Sequence, residues 1–437
     1  MKQLIYILLI GILFTACKKD KSSNIQPVDL NVKVGYNIAT SGYNLPLKGV
    51  SVKIKNINTG TTQTLSTDDS GAILFGSIAA GVYDIDATIE IPADDYTKLT
   101  GVQTEKNITF NASAKGTQII VGHTDAIELK LVSGIISEWV IKQVYYAGSH
   151  TTEGASFRDQ FIEFYNNSDK TLYADSLYFA EIIGIISTRS FHLLKSGQMD
   201  WSKSKDMPSN IDANNDYVYA RALLMIPGNG KQYPVLPGKS IVVAQTALNH
   251  KQPFTGTDNK TISVKDPSLT IDLSGADFEA YYAPFLTRAL ASDVDTPVPN
   301  LEVLSYFGTD MIFDANGQYS YVLIKPDANT KVKELPQYHQ PSLSEPSSTT
   351  TKYYQIPNRI VVDAVEVQRN LPADRVPKKL GPSMDAGFAF VPAGRYTSQS
   401  VIRKTDKTVN GRIVLKDTNN STEDFDYFTI ATPRGFK

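Results

Sequence analysis

One cysteine, two tryptophans and five histidines in 437 residues leave little material for redox or metal chemistry. With Cys17 alone, the chain can form no internal disulfide and no cysteine-rich zinc site. His123, His150, His192, His250 and His339 each stand alone, and no His-Glu-x-x-His spacing occurs. Nor is there a Gly-x-Ser-x-Gly turn to present a nucleophilic serine. An excess of either charge is missing too. The 43 basic and 45 acidic residues are interspersed and leave a net charge of −2, without the basic stripe that nucleic acid requires. Beyond the first residues no apolar run reaches the roughly 20 residues of a membrane-spanning helix.

What is present begins with an address. Leu4 to Phe14 is apolar but too short to span a membrane, and Thr15-Ala16 supply small residues just before Cys17. Leu13-Phe14-Thr15-Ala16-Cys17 resembles a lipobox, with Phe14 where leucine is more usual. The resemblance implies a signal peptide over 1–17, cleavage before Cys17 and lipidation of that cysteine. The expected partner is therefore the membrane, reached through an acyl anchor. Residues 18–27 are polar and aperiodic and read as a flexible tether. The expected location is the outer membrane, with the surface and periplasmic sides both open.

The remainder is rich in strand formers, with 23 Tyr and 18 Phe beside frequent Val, Ile and Thr. Its 28 Gly and 22 Pro are spread along the chain, as many short strands joined by turns require. Over 28–133, Asp29 to Val34 and Leu47 to Ile54 alternate with period two, and Asp68-Asp69-Ser70-Gly71 is a strong turn signal. Gly49, Gly71 and Gly81-Val82-Tyr83, at their spacing, resemble the carboxypeptidase regulatory-like module, a transthyretin-like or Ig-like β-sandwich. That family implies a docking or structural role, and Gly71 and Gly81 are expected to need positive φ.

Over 134–437 the ordered series is Trp139 to Tyr146, Glu163-Phe164-Tyr165-Asn166, Pro237-Gly238, Asp363-Ala364-Val365, Ser400-Val401-Ile402-Arg403, and Asp417-Thr418-Asn419-Asn420 with Asp424-Phe425. It resembles the lamin-tail domain, a larger Ig-type β-sandwich. The expected fold is thus mainly β, two sandwiches in series, the second carrying a long insertion over about 248–354. Phe278, Tyr281, Tyr282, Phe285, Leu286, Ala289 and Leu290 recur at helical spacing after Ser274 and Asp277, so the insertion is expected to be partly helical. Residues 336–351, poor in apolar side chains, read as a mobile loop. The whole resembles an uncharacterised lipoprotein family of the domain-of-unknown-function class, which implies an association with outer-membrane TonB-dependent uptake receptors.

Oxygen-rich turns offer the one metal reading. Asp212, Asn214 and Asp216 alternate as calcium ligands do, although Tyr217 stands where a calcium loop needs glycine. The competing reading is that these side chains bond their own backbone, and no cofactor is otherwise expected. Tyr145-Tyr146, Tyr281-Tyr282 and Tyr353-Tyr354 are candidate platforms for sugars, but adjacent strand residues face opposite sides, so one of each pair is expected in the core. The sequence therefore points to a non-catalytic binding or interaction module whose working surface is the insertion, with an outer-membrane receptor or a glycan as partner. An envelope hydrolase with carboxylates that converge in space, a carbohydrate-binding surface protein and a structural or adhesive protein are the alternatives.

Overall fold

The structure is a computed structural model. It describes residues 27–37, 43–101, 107–133, 137–186 and 190–437. The signal segment, Cys17 and the tether up to residue 26 lie outside the described residues.

The fold is mainly β, with several sheets. The first holds seven strands: β1 (Pro27–Tyr36), β2 (Ser51–Asn56), β3 (Thr62–Ser66), β4 (Ala72–Ala79), β5 (Gly81–Ile91), β6 (Ile108–Ile119) and β7 (Ile127–Ser133). Their order is β3-β2-β5-β6-β7-β1-β4, antiparallel except for β1 against β7. The outer strands β3 and β4 approach each other, so the sheet nearly closes into a barrel. The period-two pattern is realised directly: Val28, Leu30, Val32 and Val34 of β1 turn inward onto Val52, Ile54, Phe75, Ile85, Phe110 and Leu131. Gly71 has φ +77, and a side chain there would strike the Val34 carbonyl. Gly81 departs from expectation. It does not occupy the left-handed region; it is needed because a Cβ would lie 2.9 Å from the Asn56 amide.

The remaining strands form two principal sheets packed face to face. One runs in the order Phe278–Glu279, Ser240–Ala244, Phe161–Asn166, Trp139–Tyr145, Ser400–Arg403, Phe425–Phe428. The other runs Gln337–His339, Lys352–Pro357, Tyr217–Met225, Tyr178–Ile182, Ser320–Ile324, Val361–Glu366, with Glu302–Ser305 also paired to Tyr217–Met225. Ile141, Ile162, Phe164 and Val243 of the first meet Phe179, Leu224, Tyr321, Leu323 and Val365 of the second. Each sheet also has an apolar cluster on its outer face: Tyr145, Phe161 and Val242 on one, Ala180, Val218, Val322, Ile356 and Met384 on the other. Strands buried on both faces read as continuous apolar runs, and Tyr178–Ile182 and Ser320–Ile324 are buried throughout.

The supposed insertion is part of this architecture. Ser320–Ile324 lies between Tyr178–Ile182 and Val361–Glu366. Gln337–His339, inside the stretch expected to be loop, pairs with the Lys352–Pro357 strand. The helix expected after Ser274 is absent. Phe278–Glu279 is a strand parallel to Ser240–Ala244, and only a 3-10 turn, Ala283–Phe285, follows. Three causes combine. The edge of Ser240–Ala244 takes Phe278 into the core, Asp277 accepts the Val242 N–H rather than capping a helix, and Pro284 forbids helical bonding in mid-segment.

The barrel is fastened to the sheets by polar contacts far apart in sequence. Lys53 pairs with Glu423 at 2.6 Å, and buried Asn111 donates to the Thr418 carbonyl. Lys115, paired with Asp86, also lies over the Phe388 ring. Among the described residues no helix is long and apolar enough to cross a membrane.

Candidate binding face

The motif residues of the second region converge, but on a buried clamp. Arg403 Nη2 donates to both Asp363 oxygens at 2.9 and 2.7 Å, and Nη1 lies 3.0 Å from Asp417 and 3.5 Å from Asp424. Its Nε donates to the Ile141 carbonyl, while the Ile141 N–H donates to Asp363. Burial works against the guanidinium charge, but the three carboxylates hold its pKa above the ordinary arginine value. Glu163 and Lys142 form a second buried pair at 3.0 Å, covered by the chain's last residues: Arg434 N–H donates to Glu163, and Phe436 lies over the ammonium. These groups are inward and saturated. They tie strands together and are closed to ligands.

The calcium candidates behave as turn residues. Asp212 accepts the N–H groups of Asn214 and Asn215 and the Asn215 side-chain amide. The Asn214 side-chain oxygen Oδ1 accepts the Trp201 N–H, and its side-chain NH2 donates to Asp200. Asp216 is exposed, and its own N–H bonds the Asp212 carbonyl. Among the described residues no three His, Cys, Asp or Glu side chains are placed to hold a metal ion. His250 is buried, which pushes its pKa down to about 4, and it bonds the Thr246 carbonyl.

Each tyrosine pair was expected to place one member in the core. The third pair does so, with Tyr282 buried and Tyr281 partly exposed; in the other two both members are buried, Tyr145 with Tyr146 and Tyr353 with Tyr354. Trp139–Tyr145 runs between two apolar clusters, so neither of its faces meets solvent.

The exposed aromatic surface lies elsewhere, in loops following Tyr282 and the Glu302–Ser305 strand. Phe285, Tyr306 and Phe307 are 48%, 39% and 56% exposed. Phe285 and Tyr306 are tilted by 35° with centroids 6.0 Å apart, and the Tyr306 hydroxyl donates to the Phe285 carbonyl. Buried Tyr282 supports Tyr306 edge-on at 5.5 Å. The Arg221 guanidinium is held between the Phe307 ring at 3.9 Å and the Tyr319 ring at 4.1 Å. Such desolvated cation–π contacts contribute about 2 kcal/mol. Arg221 Nε is also 2.7 Å from Glu181, its neighbour across paired strands.

Against Phe307 is a cavity of about 10 Å³, lined also by Glu181, Arg221, Tyr282, Asp310 and Phe313. Asp310 is buried and accepts from the Gln245 amide at 2.6 Å and from the Met311 N–H. Burial, with the Asp293 charge adding, pushes the Asp310 carboxyl up to about 8. Burial raises Glu181 to about 7 against the pull of Arg221. The face can therefore offer three aromatic surfaces and a small polar well with little net charge at neutral pH. Phe285, Tyr306 and Phe307 fall within the segment expected to carry the working surface. Glu181 and Arg221 gave no motif signal; Tyr306-Phe307-Gly308, two bulky rings before a glycine outside any alternation, was the available clue.

Comparison with known proteins places this region in context. The family model described as "Protein of unknown function (DUF4876)" matches residues 236–432, just under half of the chain and including the aromatic loops. The chain is similar to the crystal structure of a DUF4876 family protein from Bacteroides thetaiotaomicron VPI-5482: 23% identity over 92% of this chain and 95% of that one, TM-score 0.50. That likeness is one of fold. A candidate adhesin from Bacteroides ovatus is similar over 56% of this chain and 86% of its own, at 9% identity and TM-score 0.17. No curated protein matches.

Proposed function

We propose that this chain is a non-catalytic binding protein of the DUF4876 kind, held at the outer membrane by an acyl group on Cys17. Its β units are read as a transthyretin-like module and an elaborated lamin-tail-like sandwich. The observation that carries the binding reading is the group of three half-exposed rings, Phe285 and Tyr306 against each other and Phe307 over the Arg221 guanidinium that pairs with Glu181. Exposed aromatics gathered at one place, rather than scattered, are the usual mark of a recognition surface. The matched motifs support a non-catalytic reading because their charged residues are engaged in the buried clamp.

The direct test recovers the tagged native lipoprotein from gently solubilised outer membranes and identifies what co-purifies, protein or glycan. Phe285→Ala, Tyr306→Ala and Phe307→Ala together are expected to reduce recovery of that material at least tenfold, with the circular-dichroism spectrum unchanged and the melting temperature lowered by the lost Phe307–Arg221 contact. Undiminished recovery would remove the rim as the binding surface. A stoichiometric β-barrel receptor would make the chain accessory to an uptake complex. The anchor is tested separately: Cys17→Ser is expected to move the protein from the membrane fraction to the soluble fraction, and persistent tight membrane association would refute lipidation.

A further inference from the structure

The ligand class of the rim follows from its size, charge and shape, and this step rests on the binding reading above. We infer that the rim takes a neutral glycan, with a sugar ring stacked on the exposed aromatics and one hydroxyl entering the well between Arg221 and Asp310.

Size is the first argument. Three rings at about half exposure present roughly 300 Å² of apolar surface, against the roughly 800 Å² per partner of a stable protein interface. Arg288, Glu302, Gly308 and Thr309, close in sequence to the rings, are exposed and polar or small. A patch of this area matches one or two sugar rings. The well is matched too: about 10 Å³ is the space of a single water, and a sugar hydroxyl replaces a water atom for atom.

Charge is the second. An anionic ligand entering the well would meet the Glu181 carboxylate, and the one cation of the lining, Arg221, is already paired with it. A cationic ligand would compete with Arg221 for the ring faces. A neutral polyol does neither. The protonated Asp310 carboxyl can donate to a hydroxyl oxygen, and Glu181 can accept from a hydroxyl proton, so both halves of an O–H are served. The rings supply stacking surface that costs little side-chain entropy, because Tyr306 and Phe307 are already fixed by Tyr282, the Phe285 carbonyl and Arg221.

The experiment titrates the full chain in detergent with maltohexaose, cellohexaose, mannohexaose, xylohexaose and hexagalacturonate, using calorimetry and saturation-transfer NMR. At least one neutral hexaose is expected to bind, with saturation transfer to ring protons and with hexagalacturonate weaker. Phe307→Ala and Tyr306→Ala should each weaken that binding tenfold or more. Tyr173→Ala, removing another exposed ring (37%) on the separate strand pair Leu172–Tyr173 and Pro234–Val235, should leave it unchanged. Phe307→Leu, which keeps apolar contact with Arg221 but removes the stacking face, should weaken it as Phe307→Ala does and guards against a folding artefact. No binding by any neutral hexaose, tighter binding of hexagalacturonate, or full binding by Phe307→Ala would overturn the inference. If the rim still captures an envelope protein while no hexaose binds, the glycan assignment alone falls. If the triple variant captures everything the parent does, the rim itself falls.

Discussion

Arg403→Leu is expected to destabilise the protein by roughly 3–5 kcal/mol, the cost of breaking a buried ion pair by removing one partner. The substitution leaves Asp363 and Asp424 buried at 2% and 1% side-chain exposure with their shared cation gone. It also removes the donor to the Ile141 carbonyl, so the Trp139–Tyr145 and Ser400–Arg403 strands lose a side-chain tie beside their backbone pairing. Since folded domains are stable by only about 5–15 kcal/mol, much of the variant should be insoluble at 37 °C. Denaturant unfolding of whatever remains soluble gives the number. A midpoint matching the parent would mean the clamp is dispensable. Lysine at 403 should recover only part of the loss, because one ammonium cannot reach Asp363, Asp417 and the Ile141 carbonyl at once, as Nη2, Nη1 and Nε do.

Stability is expected to fall as pH rises from 5 to 9, and Asp310→Asn should flatten that slope. Asp310 in the folded chain titrates at about 8, far above the unfolded value near 4. Between those two values the folded protein keeps a proton that the unfolded chain releases, so each rise in pH favours unfolding. The penalty is absent below about pH 4, grows through neutrality and is complete above about pH 8. A shift of this size, carried through the whole window, corresponds to roughly 5–6 kcal/mol. Glu181, raised to about 7, adds in the same direction. Asp310→Asn keeps one of the two oxygens that accept from the Met311 N–H and the Gln245 amide, so the informative quantity is the difference in slope between variant and parent. Melting temperatures measured at half-unit steps supply it. Parallel curves would show that Asp310 titrates normally.

The parts that the sequence made legible are those governed by local rules. Val28, Leu30, Val32 and Val34 announce β1 because alternation and burial coincide on one half-buried strand. Asp363, Arg403, Asp417 and Asp424 were singled out by pattern, and the fold brings them together, although nothing in their order said that the meeting place would be a saturated interior. The failures are equally physical. Phe278 reads as helical by spacing, but a vacant sheet edge outweighs spacing. Glu181 and Arg221 meet across paired strands, and their link to Phe307 comes from a loop far downstream, so no local window contains the site. Adjacent tyrosines looked available because one face of a strand is normally outside; here both faces of Trp139–Tyr145 are covered.

The sheet that carries the Arg403 clamp also sets a schedule. The barrel's seven strands are complete by Ser133 and need no later residue for their pairing. Trp139–Tyr145, by contrast, finds its second partner only in Ser400–Arg403. A chain emerging from its first residue onward therefore closes the barrel early, then carries an open sheet edge until its last few dozen residues arrive. Non-local pairing of this kind is slow, and the waiting edge is a template for a second chain. The long interval between these two closures is where synthesis of this chain is most exposed to aggregation.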